Sequence, residues 1–350
     1  MTKKIIATVA QDFIVHTITR SLARGLQQEG HELHVITFKE EDKLKIKAYN
    51  SNINVHVFKQ HYRWIPKNIR GMILAPILDK FIINMCGKKP DLVLSNLLPA
   101  DRLLAYSRLN VYMVIHNTMS KEVVDLDLDL SKLAKIYTKK PIIGVSEGVM
   151  TDFTNLFSKF AIKKAHYIYN PMDFEMIETL GNKKTPLPDN YIVHVGKFTN
   201  QKRHDILIKA YHQSGVEEKL VLVGKGELEV KTQNLVKELG LDGRVIFAGF
   251  QPNPYHYIKH AKLMTLSSIY EGLPTVILES LILKTPVVST DCESGPKEML
   301  PQKNLTPVND IEALACKIKD AVEHIDNYKC DLKKDFLLRN ITKKYLELSK

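Results

Sequence analysis

The sequence predicts an α/β protein made of two doubly wound parallel sheets, and three observations carry that prediction. Short β-branched runs alternate with longer amphipathic segments along the whole chain, the pattern of strands covered by helices on both faces. The alternation runs through twice, on either side of a polar stretch with two prolines at 181–190. Finally, 350 residues at 44% hydrophobic and 25% charged composition suffice for two cores.

In the first half, strands are expected at 5–9, 33–37, 55–58, 92–95, 111–116 and 142–145. Between the first two, Ile18, Leu22 and Leu26 recur every four residues and Gly30 supplies the stop, which makes a β-α-β unit. The second half repeats the scheme with strands at 191–195, 220–223, 245–247, 263–266 and 285–289. Its helices are expected over 204–213, 229–239, 274–283 and 311–325, with 181–190 as hinge or linker. The division predicted is a first Rossmann-like domain over 1–170 and a second over 171–334. A last amphipathic segment, 335–350, closes the second domain or crosses back to the first.

Composition excludes collagen, coiled-coil rods and disordered tails. The apolar stretch at 5–10 is too short for a secretory signal, and the one at 71–86 is cut by Asp79 and Lys80, short of the ~20 residues of a spanning helix. Cys86, Cys292, Cys316 and Cys330 lie far apart without a CxxC pair, so neither a disulfide framework nor a zinc knuckle is expected. The expected location is cytoplasmic, with peripheral attachment at the inner membrane. Net charge is +11, and the excess sits in the first half: residues 1–170 hold 25 Lys+Arg against 15 Asp+Glu, the remainder 25 against 24. This points to an anionic partner or to a solvated basic face.

In parallel sheets, ligands sit beyond the carboxyl ends of the strands. After 191–195 come Gly196, Lys197 and Lys202, a glycine turn with two cations leading to a helix, suited to an anion. Gly224-Lys225-Gly226 follows the next strand but lacks a third glycine at GxGxxG spacing. The stronger feature is 267–279. Glu271 and Gly272 form a turn after a strand, and Pro274 suits the first turn of a helix because it has no amide hydrogen to satisfy. Amides at Leu273, Thr275 and Val276 are then free for a phosphate. Glu279 follows Glu271 by eight residues, ~12 Å along a helix, comparable to the reach from a sugar through a diphosphate to a ribose.

The second half resembles the retaining glycosyltransferases of family 4, which have the GT-B fold of two Rossmann-like domains facing a cleft. The Glu271/Glu279 pair at E-x7-E spacing is that family's hallmark. It is accompanied in order by Val145-Ser146, Asn170-Pro171-Met172-Asp173, Gly196-Lys197 with Lys202, Gly224-Lys225-Gly226, Pro286-Val287-Val288-Ser289-Thr290 and Ser294-Gly295-Pro296-Lys297-Glu298. The last of these resembles the loop of bacterial galactose and N-acetylgalactosamine transferases. The likeness is good over 140–300 and loose before. It implies that the first domain takes the acceptor and the second a nucleotide-sugar donor, with Lys197 and Lys202 on the diphosphate, Glu279 on the ribose and Glu271 on the sugar hydroxyls. His116 matches a histidine beside the transferred sugar. Position 197 is usually arginine in the family, and lysine gives up its bidentate fork. The family's glycine-rich loop before the first helix is absent here, where 12–17 contain no glycine; His16 is the acceptor contact that region offers.

The resemblance implies a retaining, metal-independent hexosyltransferase that moves a hexose or N-acetylhexosamine from a UDP-sugar to a lipid-linked or lipopolysaccharide- or capsule-type glycan. No cofactor is expected beyond the UDP-sugar co-substrate. Asp125, Asp127 and Asp129 reproduce a DxD metal spacing, read here as an acidic turn pairing with the lysines that follow. Cations interleave with aromatic and apolar residues over 61–70, before the apolar stretch 72–83, as in a segment resting on an anionic leaflet with Trp64 at the interface. A sugar-nucleotide epimerase also fits paired Rossmann domains, and a nucleic-acid binder fits the basic half, although no RRM, KH or helix-turn-helix signature is present. A pyridoxal-dependent phosphorylase is a further GT-B possibility, but nothing marks a Schiff-base lysine.

Overall fold

A computed structural model describes residues 2–10, 16–40, 53–59, 65–66, 69–187 and 190–349. Their contacts form two compact units, Met1–Asp173 with Lys334–Lys350, and Phe174–Lys333.

The first unit carries a seven-stranded sheet: β1 (Ile5–Ala10), β2 (Glu32–Thr37), β3 (Asn54–Val57), β4 (Leu92–Asn96), β5 (Val111–Ile115), β6 (Ile142–Gly144) and β7 (Ala165–Tyr167). They lie in the order β3-β2-β1-β4-β5-β6-β7, every pairing parallel. The second carries β8 (Ile192–Val195), β9 (Leu220–Val223), β10 (Val245–Gly249), β11 (Leu263–Leu266), β12 (Val287–Thr290) and β13 (Leu305–Thr306). Their order is β10-β9-β8-β11-β12-β13, again parallel throughout. The two sheets repeat one order, so each has a switch point beside its first strand, between β1 and β4 and between β8 and β11. At such a point neighbouring crossovers leave in opposite directions and open a crevice.

Strands buried on both faces are continuous apolar runs. Leu220–Val223 and Leu263–Leu266 are buried throughout. In the second unit Phe198, Leu207, Tyr211, Leu222 and Ile318 share one core. In the first, Val9, Ile36, Leu78, Ile82 and Val93 do.

Several expectations change. Strands β7 and β13 were not read from the sequence: β7 is Ala-His-Tyr with two exposed residues, and β13 has two residues. The helix expected at 274–283 is Thr275–Ile282, and Pro274 caps it with extended ψ (93°). The stretch 181–190 is not between the units. Helix Phe174–Gly181 belongs to the second unit, where Asn253 Nδ2 donates to Leu180 O at 3.0 Å and a β-carbon on Gly181 would meet Leu283 at 2.4 Å.

The boundary falls at Asp173, whose carboxylate takes both its oxygens to Arg24 Nη1 (2.7 and 2.8 Å) and whose amide donates to Ser21 Oγ at 2.9 Å. The terminal helix Leu338–Leu348 packs in the first unit against helix His16–Gln28. Gly25 allows that approach, since a β-carbon there would lie 2.2 Å from Thr342 Oγ1.

Candidate active site

The second unit gathers its polar side chains at the β8/β11 switch point. After β8 the chain turns at Gly196, buries Phe198 (1% exposed) and forms a 3-10 turn over Asn200–Lys202. Arg203 then takes a left-handed conformation (φ 48°) that redirects the chain into helix His204–Ser214. After β11 the chain passes Ser267 and Ser268 to Glu271. These two loops are sewn together. Ile269 N donates to Gln201 O at 2.9 Å, Gln201 Nε2 to Tyr270 O at 2.8 Å, and Ser267 Oγ to Lys202 O at 2.7 Å. Thr290 Oγ1, at the end of β12, fixes Ser268 O at 2.6 Å.

The result is a charge pair held from both sides. Lys202 Nζ donates to Glu271 Oε1 at 2.5 Å, and Ser268 Oγ donates to the same oxygen at 2.6 Å. Beneath Lys202 the wall is neutral. Phe198 stacks on His204 with ring centroids 4.1 Å apart, and His194 meets His204 edge-on at 4.6 Å. Burial pushes the two imidazoles down to about 4 and about 2. A neutral, low-dielectric wall strengthens the field of Lys202.

Lys202, Glu271, Leu273, Pro274, Thr275 and Glu279 line one pocket of about 320 Å³ with Val195, Pro254 and Val276. Thr275 and Val276 open a helix whose first amides have no partner within the helix. Glu279 is 8% exposed, and burial pushes its carboxyl up to about 7. Glu271 lies in the turn before the helix, so the ~12 Å helical span expected between the two carboxylates does not hold; only Thr275 to Glu279 run along the helix.

Two glycines shape this rim. A β-carbon on Gly224 (φ 146°) would lie 1.9 Å from Gly196 O, so the turn after β9 seats directly on the Gly196 loop. One on Gly295 (φ 91°) would lie 2.3 Å from Pro274 and 3.0 Å from Gly272 O. The Gly295 loop therefore presses on the Gly272–Pro274 turn.

Of the residues singled out in the sequence, Gly196 and Gly272 form turns beside the pocket and Lys197 is exposed; none of the three lines it. His116 belongs to the first unit, where its Nε2 meets Asn96 Oδ1 at 2.9 Å. His16 begins helix His16–Gln28, and the stretch 11–15 lies outside the described residues. The Asp125–Asp129 spacing resolves into helix ends: Asp125 closes helix Met119–Asp125, while Asp129 caps the next helix by accepting from Lys132 N at 3.1 Å and pairs with Lys132 Nζ at 3.2 Å. Pro254 is not singled out in the sequence, although it follows a strand, β10; Ser268 and Gln201 lie within stretches that are, but their parts in holding Glu271 and joining the two loops are not legible there.

Two family models match in tandem. "Glycosyltransferase Family 4" covers residues 15–175 and "Glycosyl transferases group 1" covers 177–331. The chain belongs to the glycosyltransferases of the family 4 type. Anabaena HepE, crystallised with UDP and glucose, superposes on this family 4 chain with a TM-score of 0.72 at 18% identity, covering 99% of this chain and 96% of that one. The fold is GT-B.

Among curated relatives, a Campylobacter jejuni N-acetylgalactosamine-N,N'-diacetylbacillosaminyl-diphospho-undecaprenol 4-alpha-N-acetylgalactosaminyltransferase is 34% identical over 168 residues, 48% of this chain and 46% of that protein. The lipopolysaccharide 1,6-galactosyltransferase of Salmonella typhimurium is 32% identical over 138 residues, 38% of each. The matched segments thus span about half or less of these two relatives.

Proposed function

We propose that the protein transfers a hexose or N-acetylhexosamine from a UDP-sugar to a lipid-linked or lipopolysaccharide- or capsule-type glycan, with retention at the anomeric carbon and without a metal. The observation that carries this reading is one pocket in which Lys202 and Glu271, 2.5 Å apart, are joined by Glu279 and by the helix start at Thr275. In the reaction, the bond from the anomeric carbon to the phosphate oxygen breaks and UDP leaves with the electron pair. An acceptor hydroxyl oxygen forms the new bond, and its proton passes to the departing diphosphate.

Negative charge therefore grows on the diphosphate. Lys202, with Lys197 on the same loop and the amides opening helix Thr275–Ile282, meets that charge in a site that needs little reorganisation. Glu271, held by Ser268, takes sugar hydroxyls, and Glu279 takes the ribose. Gly196, Gly272, Leu273, Pro274 and Thr275 shape the donor site, and His116 serves the transferred sugar. The UDP held by Anabaena HepE and the diphospho-undecaprenol acceptor in the Campylobacter relative's name support the donor and the acceptor class.

Among the described residues no helix is long and apolar enough to cross a membrane. We place the protein in the cytoplasm and peripherally on the inner membrane, an assignment supported by helix Arg70–Cys86. Its outward residues Met72, Ile73 and Ile77 are 57%, 43% and 43% exposed, and its single acid, Asp79, is buried and takes hydrogen bonds from Ser107 Oγ (2.5 Å) and Arg108 N (2.7 Å). Residues 50–90 hold seven Lys+Arg and that one acid. An apolar stripe on a stretch of chain this rich in cations matches an anionic leaflet. Trp64 and the neighbouring residues 61–64 lie outside the described residues.

The test is a transfer assay with UDP- and GDP-sugars on an undecaprenyl-diphosphate-linked acceptor, with the product's anomeric configuration read by NMR. UDP-dependent product of unchanged anomeric configuration is expected. Sugar turnover without an acceptor indicates an epimerase and overturns the reading. For the surface, flotation with phosphatidylglycerol vesicles should recover the protein and phosphatidylcholine vesicles should not. The Met72→Ser/Ile73→Ser/Ile77→Ser variant should stay behind; equal recovery of this variant overturns the assignment.

A further inference from the structure

The switch point of the first unit holds a second polar cluster. Asn96 ends β4, and His116 follows the last residue of β5. Asn96 Nδ2 donates to Thr8 Oγ1 at 2.8 Å and to Val9 O and Leu94 O at 3.3 Å each. The last two partners are backbone carbonyls, which accept only. The orientation of the amide is thereby settled, since a flipped group would turn its oxygen onto two others. Asn96 Oδ1 is left facing His116 Nε2 at 2.9 Å, and an amide oxygen can only accept.

His116 Nε2 must then carry a hydrogen. Among the described residues this is the one hydrogen bond the ring makes, and Nδ1 has no partner among them. The chain tolerates strain immediately after Asn96: Leu97 has φ 69°, a conformation that costs a non-glycine residue about 1 kcal/mol or more. Burial also pushes the His116 imidazole down to about 4, so it is neutral at physiological pH.

We infer that Asn96 is a positioning residue: it locks His116 in the Nε2–H tautomer and so presents Nδ1 as a bare acceptor for a sugar hydroxyl. The role of His116 toward sugar rests on the proposed function; the tautomer lock does not. Without Asn96 the proton distributes between the two nitrogens, and part of the time Nδ1 carries a hydrogen and cannot accept the one that a sugar hydroxyl offers.

The deciding experiment is a long-range ¹H–¹⁵N correlation on the full-length protein labelled at histidine ring nitrogens, with the His116 signals assigned by their loss in His116→Gln. The wild type should show a pyrrole-like Nε2 and a pyridine-like Nδ1 from pH 6 to 8. An Nδ1–H ring or an averaged pair of signals overturns the inference, and neither reading needs turnover. In Asn96→Ala the two ring nitrogens should average, and kcat should fall roughly tenfold, the worth of one hydrogen bond, while the KM for the donor stays within about twofold. A single Nε2–H tautomer with undiminished kcat in that variant also overturns it. Absence of transfer activity in the wild type would defeat the proposed function while leaving the ring measurement intact.

Discussion

Lys202 and Glu271 face each other at 2.5 Å across the seam between β8 and β11, although 69 residues separate them in the chain. Both are held from the loop after β11: Ser267 Oγ donates to Lys202 O, and Ser268 Oγ donates to the carboxylate. The charge that the proposed reaction requires is thus fixed before any substrate arrives.

Replacing Lys202 should remove that charge. Lys202→Ala is expected to lower kcat by ~10²-fold or more, in line with the loss of one donor to a developing anion. Steady-state transfer kinetics check this, and unchanged turnover would take Lys202 out of the site.

Glu279 should make apo stability depend on pH. Its folded carboxyl titrates at about 7 against an ordinary 4.5, so between those values the folded state binds more protons than the unfolded one and stability falls as pH rises. Glu279→Gln should match the wild type near pH 4 and exceed it at pH 8 by up to ~3 kcal/mol. Urea midpoints at the two pH values read the difference. A donor whose hydroxyls bind the ionised carboxylate should bind more tightly above pH 7, and the Gln variant should lose that dependence.

Asp101 gives a comparable test away from the pocket. It is 1% exposed, accepts from Ser95 Oγ (2.6 Å) and Tyr137 Oη (3.2 Å), and burial pushes its carboxyl up to about 8. Asp101→Asn keeps a neutral polar group and should cost under ~1 kcal/mol near pH 4. Asp101→Leu strands Ser95 and Tyr137 and should cost ~2–4 kcal/mol. Between pH 4 and 8 the wild type should lose stability relative to the Asn variant, and above pH 8 the difference should level off. Chemical denaturation across pH 4–9 follows all three proteins.

Gly224→Ala should break the site through its backbone. The added carbon would sit 1.9 Å from Gly196 O at a φ of 146°, so the Gly196 loop must shift. An expected loss of at least ~3 kcal/mol should be accompanied by weaker UDP binding in calorimetry, because the loop carrying Lys202 moves with Gly196.

The parts legible in the sequence were those with local causes. Runs such as 220–223 and 263–266 are strands because they are short, buried throughout and apolar save for the β-branched Thr265. The turns at Gly196 and Gly272 and the spacing of Lys202, Glu271 and Glu279 are likewise written along the chain. What could not be read depends on tertiary partners. Strand β7 is held by pairing with β6 rather than by its own pattern. Gln201 looks like any surface polar residue until Tyr270 O reaches it, and Asp173 needs Arg24, 149 residues away. The Asp125–Asp129 run shows the converse: its spacing imitates a metal motif, while Asp129 is occupied in capping a helix.

The central claim is that the pocket of the second unit receives a UDP-sugar. A crystal structure of the protein with UDP tests it most directly. The account predicts the diphosphate within hydrogen-bonding distance of Lys202 and the helix start at Thr275, with the ribose on Glu279. UDP bound away from these residues, or no UDP at saturating concentration, would contradict it.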